Sequence, residues 1–243
     1  MTWSAAARAL VNRAARHAGY EINRLDSTST MRAAVRRLAL SHPDLRTIID
    51  VGASDGRWSA MARRSFPQAS FLLFEALEAP HSEGLRRLSA EPHVHVVLAA
   101  AGDRPGTIHF NAADSFGGAA SVVPFDVDDL VVPMTTVDIV VDRRALEPPY
   151  LMKLDTHGFE RQILAGATRT LERATVLVIE AYAFELRPEA LTFLGLCDYL
   201  ADRGFRVLDL VDVMRRPGDR ALWQFDLVFA RADRPEFQSN AYA

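Results

Sequence analysis

Three stretches of this sequence combine residue types that can do chemistry at spacings that would bring them together. The first is Asp50-Val-Gly-Ala-Ser-Asp-Gly56, at the end of a short apolar run. Gly52 lets backbone approach a ligand closely because it carries no Cβ. The N–H groups opening the following helix would face whatever binds there. The alternative readings are a plain turn at Gly52 and Gly56 and a helix cap at Asp55. The second is Glu75, which closes the next apolar run 23 positions after Gly52. A carboxylate there is placed to accept both hydroxyls of a ribose. The third runs Lys153-Leu-Asp-Thr-His-Gly-Phe-Glu160. Lys153 and Asp155 are two apart on a strand, so their side chains share a face, and His157 follows in the strand-to-helix loop. An imidazole, with an ordinary pKa of about 6.5, can take the proton of an attacking hydroxyl. Asp155 could orient the imidazole or the alcohol, and Lys153 could hold a substrate oxygen or fix Asp155. The structural alternatives are a loop histidine, a Lys153 ion pair and Glu160 as a partner of the helix dipole.

The loop chemistry discriminates between cofactors. A glycine loop followed by an acid at the next strand end indicates an adenosine-type cofactor. A nicotinamide fold wants Gly-x-Gly-x-x-Gly with no acid ahead of it. Here Asp50 precedes Gly52, and the next glycine is Gly56. A pyrophosphate is disfavoured beside that carboxylate, whereas a sulfonium or ammonium is tolerated or favoured. S-adenosylmethionine carries both cations and a ribose and has no phosphate. A divalent cation is the other candidate component. Asp155 ends one strand and Glu180 another, so the two could converge on magnesium with His157 as a less typical third ligand. With so few ligands in view, no metal is the expectation.

These residues need a scaffold that presents strand ends together. Short apolar runs at 46–51, 71–74, 94–98, 150–154 and 175–179 alternate with helical stretches at 58–66, 80–90, 159–165 and 188–203. Such alternation argues for a parallel sheet with helices on both faces, and ligands then bind beyond the carboxyl ends of the strands. Residues 105–135 break the pattern and read as a β-hairpin or loop insertion. Thr135-Thr-Val-Asp138 resembles a capping box opening a helix to about Leu146, which Pro148-Pro149 stops. Gly204 sits where a C-terminal glycine cap belongs. Phe205–Leu210 and Trp223–Ala230 read as an antiparallel terminal pair around Pro217-Gly218, and residues 231–243 as a polar, frayed tail.

Composition bounds the alternatives. The chain has 243 residues, 28 Lys and Arg of which only Lys153 is lysine, 31 acidic residues and one cysteine, Cys197. That excludes an internal disulfide and a zinc site built on several thiolates. No apolar stretch reaches the length of a membrane span or a secretory signal, so a cytoplasmic protein is expected, without stable membrane insertion. Residues 1–46 carry a net charge of +5 against −8 for the remainder. Trp3, Ala6, Ala7, Leu10, Val11 and Ala14 recur at helical spacing opposite the arginines, which reads as an amphipathic helix packing on its own domain. A membrane-surface or partner helix is the alternative. Nothing interleaves aromatic and basic residues as a nucleic-acid groove would.

Several segments resemble the FkbM-type methyltransferases. They are Ile49-Asp-Val-Gly-Ala-Ser-Asp-Gly56, Phe66-Pro67, Phe74-Glu75-Ala76, Ala99-Ala-Ala-Gly-Asp103, Val132-Pro-Met-Thr-Thr-Val-Asp138, Leu151-Met-Lys-Leu-Asp-Thr-His-Gly-Phe-Glu160, Leu164-Ala-Gly-Ala167 and Val178-Ile-Glu180. The likeness spans about residues 46–182, and the Lys-Leu-Asp-x-x-Gly-Phe-Glu segment is its most specific part. Ser54 stands where the family commonly has Asn, and His157 where it often has Glu or Gln. The resemblance implies the class I Rossmann-like methyltransferase fold: α/β, with a doubly wound, mostly parallel seven-stranded sheet. It also implies cofactor contacts at Asp50, Gly52, Ala53, Ser54, Asp55, Gly56 and Glu75, with Ala76, Ala100, Ala101 and Asp103 on the adenine side.

The combined expectation is an N-terminal helical extension over 1–45, a cofactor domain over 46–232 and a tail over 233–243. Its activity would be S-adenosylmethionine-dependent methyl transfer to a hydroxyl of a sugar or other natural product, in biosynthetic tailoring. Lys153, Asp155, His157 and Glu180 form the catalytic set, the partner is a small-molecule acceptor, and a homodimer is left open. A non-catalytic methyltransferase-like binding domain and a nucleotide-cofactor oxidoreductase are the rival readings.

Overall fold

The computed structural model describes residues 11, 13–15, 29–77, 82–111, 118–188 and 190–241. The amphipathic stretch from Trp3 to Ala14 falls almost wholly outside them; Val11 and residues 13–15 are helical. Helix α1 (Met31–Ser41) is opened by Thr30, whose hydroxyl accepts from the Ala33 N–H at 3.3 Å. Met31, Ala34, Val35 and Leu38 recur at the spacing that puts them on one face. They pack into the same core as Ile48, Phe71 and Val211.

The chain then winds β1 (Thr47–Val51), α2 (Arg57–Arg63), β2 (Ser70–Glu75), α3 (Ser82–Ser89) and β3 (Val94–Leu98). It continues through β4 (Ala100–Ala101), β5 (Gly106–Asn111), β6 (Ala119–Ser121), β7 (Asp129–Thr135) and α4 (Val137–Arg143). The last part is β8 (Tyr150–Leu154), α5 (Glu160–Ala165), α6 (Thr168–Arg173), β9 (Ala174–Tyr182), α7 (Phe193–Ala201), β10 (Phe205–Arg215) and β11 (Leu222–Arg231). Seven strands form one sheet in the order β10-β11-β9-β8-β1-β2-β3. The sheet is mixed: β3, β2, β1, β8 and β9 pair in parallel, and β11 runs antiparallel to both β9 and β10. β1 and β8 are buried along their whole length, which is why they read as apolar runs without alternation.

The 105–135 segment is more than a hairpin. β5, β6 and β7 form an antiparallel set, and β4 joins β7 in parallel, giving a second sheet in the order β4-β7-β5-β6. Because β4 directly follows β3, this sheet is rooted beside the carboxyl ends of the main strands. Its Ile108, Ala120, Val132 and Met134 share a core with Leu72, Phe74 and Leu154.

Several local expectations shift. The capping box at Thr135–Asp138 is not formed. Thr136 caps α4 by accepting from the Ile139 N–H at 3.1 Å. Asp138 instead accepts from the N–H groups of Arg169 and Thr170 and from the Thr170 hydroxyl, so it caps the unanticipated α6. β9 runs to Tyr182, so Glu180 lies within the strand rather than at its end. The helix expected from Pro188 begins only at Phe193, after Thr192 as its N-cap. The tail is fastened at its start: Arg234 donates to the Ser41 carbonyl at 3.0 Å, and Arg206 lies 4.6 Å over the Phe237 ring. No helix among the described residues is long and apolar enough to cross a membrane.

Candidate active site

The loop after β1 and the loop after β8 meet backbone to backbone at the carboxyl edge of the sheet. The Asp155 N–H donates to the Val51 carbonyl at 3.0 Å. Gly52 has φ +79°, and a Cβ there would stand 2.1 Å from the Asp155 carbonyl oxygen, so only glycine fits. Beyond this junction lies a cavity of about 440 Å³ between the main sheet and the second sheet. Its walls include twelve of the residues expected from sequence: Gly52, Ala53, Ser54, Asp55, Glu75, Ala76, Ala100, Ala101, Lys153, Asp155, His157 and Glu180.

At one end of the cavity, Glu75 closes β2 and is buried. Its Oε2 accepts from the Ser54 N–H at 2.7 Å and its Oε1 from the Leu77 N–H at 2.8 Å. Small side chains at Ala99, Ala100 and Ala101 leave a smooth wall beside it. Asp55 is engaged with Arg57, whose Nε lies 2.9 Å from Oδ1.

Three expected contacts do not reach the cavity wall. Asp50 has no exposed surface. Its Oδ2 takes the Ser59 hydroxyl at 2.7 Å, and its Oδ1 lies 3.5 Å from the Lys153 ammonium. It therefore acts from behind the loop, through Lys153, rather than on a ligand. Gly56 lies beneath the loop as the N-cap of α2. Asp103 turns outward to Arg104 at 3.1 Å.

At the other end stands a charged network. Lys153 is buried, 3.0 Å from Asp155 Oδ2, and its ammonium lies 5.5 Å over the Trp58 ring. Burial alone would push this ammonium down, but the carboxylates of Asp155 and Asp50 outweigh it and hold its pKa above the ordinary value. Burial likewise opposes ionisation of Asp155, yet Lys153 and then His157 bring its carboxyl below the usual range. Burial raises the Asp50 and Glu160 carboxyls. Glu160 opens α5 and accepts from the Gly158 N–H at 2.9 Å and the Thr156 hydroxyl at 3.2 Å, which makes it a loop clasp.

His157 adopts φ +51°. Its Nδ1 lies 2.7 Å from the Tyr182 hydroxyl and 3.0 Å from Glu180 Oε2. The Tyr182 hydroxyl donates to Glu180, and the Gln224 amide donates to the other Glu180 oxygen. Burial, then the Glu180 charge and hydrogen bond, raise the Tyr182 pKa well above its ordinary value, so the phenol keeps its proton. A carboxylate can only accept, and the phenol hydrogen is committed to it. With Glu180 ionised, the hydrogen between the imidazole and this pair would sit on Nδ1, leaving Nε2 as the nitrogen that could take a proton.

Asp155, His157 and Glu180 offer ligand atoms within 4.8 Å of one another, a donor set that could hold a divalent cation. In the structure Lys153 engages Asp155, and Tyr182, Gln224 and His157 engage Glu180.

Sequence reasoning missed Tyr182, Gln224 and the roof residues Phe110, Gly118 and Ala120. Tyr182 had a signal, since it shares a strand face with Glu180 two residues away. Gln224 had none, because only the antiparallel pairing of β11 with β9 sets it opposite Tyr182.

Asp226 also went unnoticed. It pairs in register with Glu180. Burial pushes its carboxyl up to about 7, against the pull of Lys153 and helped by the charges of Asp155, Glu180 and Asp212. A carboxyl raised in the folded state contributes stability that is complete below its unfolded pKa of about 3.9 and is lost as pH rises through the folded value. Asp226→Asn should therefore match the parent in thermal stability near pH 4 and exceed it above pH 7. The expected gain is about 2 kcal/mol after allowing for solvent screening, or several degrees in Tm. A stability difference that does not change with pH would contradict this placement.

Residues 50–207 match the methyltransferase FkbM domain family, and the chain belongs to that family. Solved structures with similar outlines include the precorrin-6y C5,15-methyltransferase of Geobacter metallireducens. It is 14% identical over 84% of this chain and 92% of that one, with a TM-score of 0.44. Another is TrmK of M. capricolum in complex with S-adenosylhomocysteine, 5% identical over 82% of this chain and 67% of that one, with a TM-score of 0.48. No curated protein matches the chain.

Proposed function

We propose that this protein is an S-adenosylmethionine-dependent O-methyltransferase whose acceptor is a hydroxyl of a sugar or other natural product. Family membership supports the cofactor, and the residues at the Glu75 end of the cavity suit it. The Glu75 carboxylate on the cavity wall could accept ribose hydroxyls, the alanine wall suits a flat adenine, and the loop cation Arg57 is engaged by Asp55. A pyrophosphate would find no welcome beside these acids, which argues against a nicotinamide cofactor. When bound there, S-adenosylmethionine supplies an electrophilic methyl group on a sulfonium.

The observation that carries the proposal is the His157–Tyr182–Glu180 network on the wall of the same cavity. His157 accepts the acceptor's hydroxyl proton at Nε2 as the oxygen forms its bond to the methyl carbon and the sulfur–methyl bond breaks. Glu180 stabilises the imidazolium that results. Lys153 keeps Asp155 ionised beside it, so Asp155 can accept a hydrogen bond from a second polar group of the acceptor. The roof formed by Phe110, Gly118 and Ala120 excludes water and orients the acceptor, and positioning supplies much of the acceleration.

The test is a calorimetric titration of cofactor-stripped protein with S-adenosylmethionine and, separately, with NADH. A hydroxyl-acceptor screen with and without magnesium follows. Saturable micromolar binding of the first alone, followed by methylation at oxygen, is the expected result. Binding of NADH, or methylation at nitrogen or carbon, would overturn the reading.

A further inference from the structure

Arg187 lies between β9 and α7, in the segment that crosses the carboxyl ends of the strands. One guanidinium nitrogen donates to the carbonyl of Ala120 on roof strand β6, and the other to the carbonyl of His157. The two carbonyls belong to different walls of the cavity. Gly158 has φ +95°, and a Cβ there would stand 2.9 Å from Arg187 Nε and 3.1 Å from the Ala190 Cβ. The bare glycine thus leaves the channel through which the arginine passes. A planar guanidinium holds two donors at a fixed spacing, which a lysine ammonium on a flexible stem does not. Removing a charged donor also leaves both partly buried carbonyls short of a partner.

We propose that Arg187 is a positioning residue for the methyl transfer described above. By gripping both carbonyls it ties the roof to the loop that carries the base, so that closing the acceptor end and holding His157 against Tyr182 and Glu180 are one event. The proposal rests on the reading of His157 as base, but its test needs no acceptor. In the full-length chain, Arg187→Met removes both donors while keeping the aliphatic stem, and Arg187→Lys keeps the charge. Hydrogen exchange is measured at residues 119–121 and 157–160, the His157 ring is observed by nitrogen NMR, and S-adenosylmethionine affinity is measured by calorimetry.

Arg187→Met should accelerate exchange at both segments together by about tenfold or more. It should also abolish the Nδ1-protonated ring signature and leave cofactor affinity within about threefold of the parent, a difference of under about 0.7 kcal/mol. Arg187→Lys should restore part of both signals. Acceleration at one segment alone, no acceleration, or an unchanged ring signature would overturn the proposal. Should Arg187→Met fold poorly, Arg187→Lys is read by the same criteria. Normal turnover in a His157 variant would sink the base assignment instead, and that outcome is independent of the exchange result.

Discussion

His157→Ala is expected to slow methyl transfer by roughly 10²–10⁴-fold, the contribution of a well-placed general base, while S-adenosylmethionine affinity stays unchanged. The argument begins with the protons. Tyr182 is held neutral and gives its hydrogen to Glu180, and the expected tautomer puts the imidazole hydrogen on Nδ1 beside Tyr182 and the basic lone pair on Nε2. Alanine removes that lone pair and leaves Glu180 without one of its donors. The cofactor end is untouched, because Glu75 and the Ser54 backbone are held by other bonds. His157→Gln provides the sharper comparison, since it retains a hydrogen-bonding side chain without a proton acceptor of useful basicity. Both variants should lose turnover by similar factors, measured with the acceptor that the hydroxyl screen identifies. Turnover within about threefold of the parent in His157→Ala would remove it from the reaction, since positioning alone would then account for the rate.

The part of this site that was legible in sequence is the part set by local rules. β1 and β8 announced themselves as apolar runs because both faces of the sheet are covered. The two-residue period of a strand put Lys153 and Asp155 on one face; Asp155 falls just past the end of β8, yet the two charges stand 3.0 Å apart. The fate of Asp50 was not legible. Its position before Gly52 placed it near the cavity, but whether it faced a ligand depended on Ser59 of α2 and on Lys153 of β8, seven strands later in the chain, and both engage it from within the core. The second sheet was hidden for a related reason. β4 is only two residues long and finds its partner β7 across the whole 105–135 excursion, a pairing without local pattern. Gln224 and Arg187 belong to the same class, since each matters through a contact made by strands or loops far apart in the chain.

Glu75→Ala is expected to weaken S-adenosylmethionine binding by about 100-fold or more. In the structure each Glu75 oxygen already accepts one backbone N–H, from Ser54 and from Leu77. A carboxylate offers about four lone-pair sites, and the expected role of Glu75 is to accept the ribose hydroxyls as well as to hold the loop. Hydrogen bonds to a charged group contribute about 1.5–3 kcal/mol each, and losing two of them exceeds the roughly 2.7 kcal/mol that corresponds to a hundredfold. The loop after β1 would also lose the Ser54 anchor, which adds to the effect in the same direction. Glu75→Gln separates the two contributions. It keeps the side chain's shape and one acceptor oxygen, but its amide hydrogens oppose one of the backbone N–H groups, so its affinity should fall between alanine and the parent. Calorimetric titration reads all three proteins, and a thermal melt of each checks that the fold persists. Parent-like affinity in a folded Glu75→Ala protein would mean that the ribose lies elsewhere and that Glu75 serves only to hold the loop.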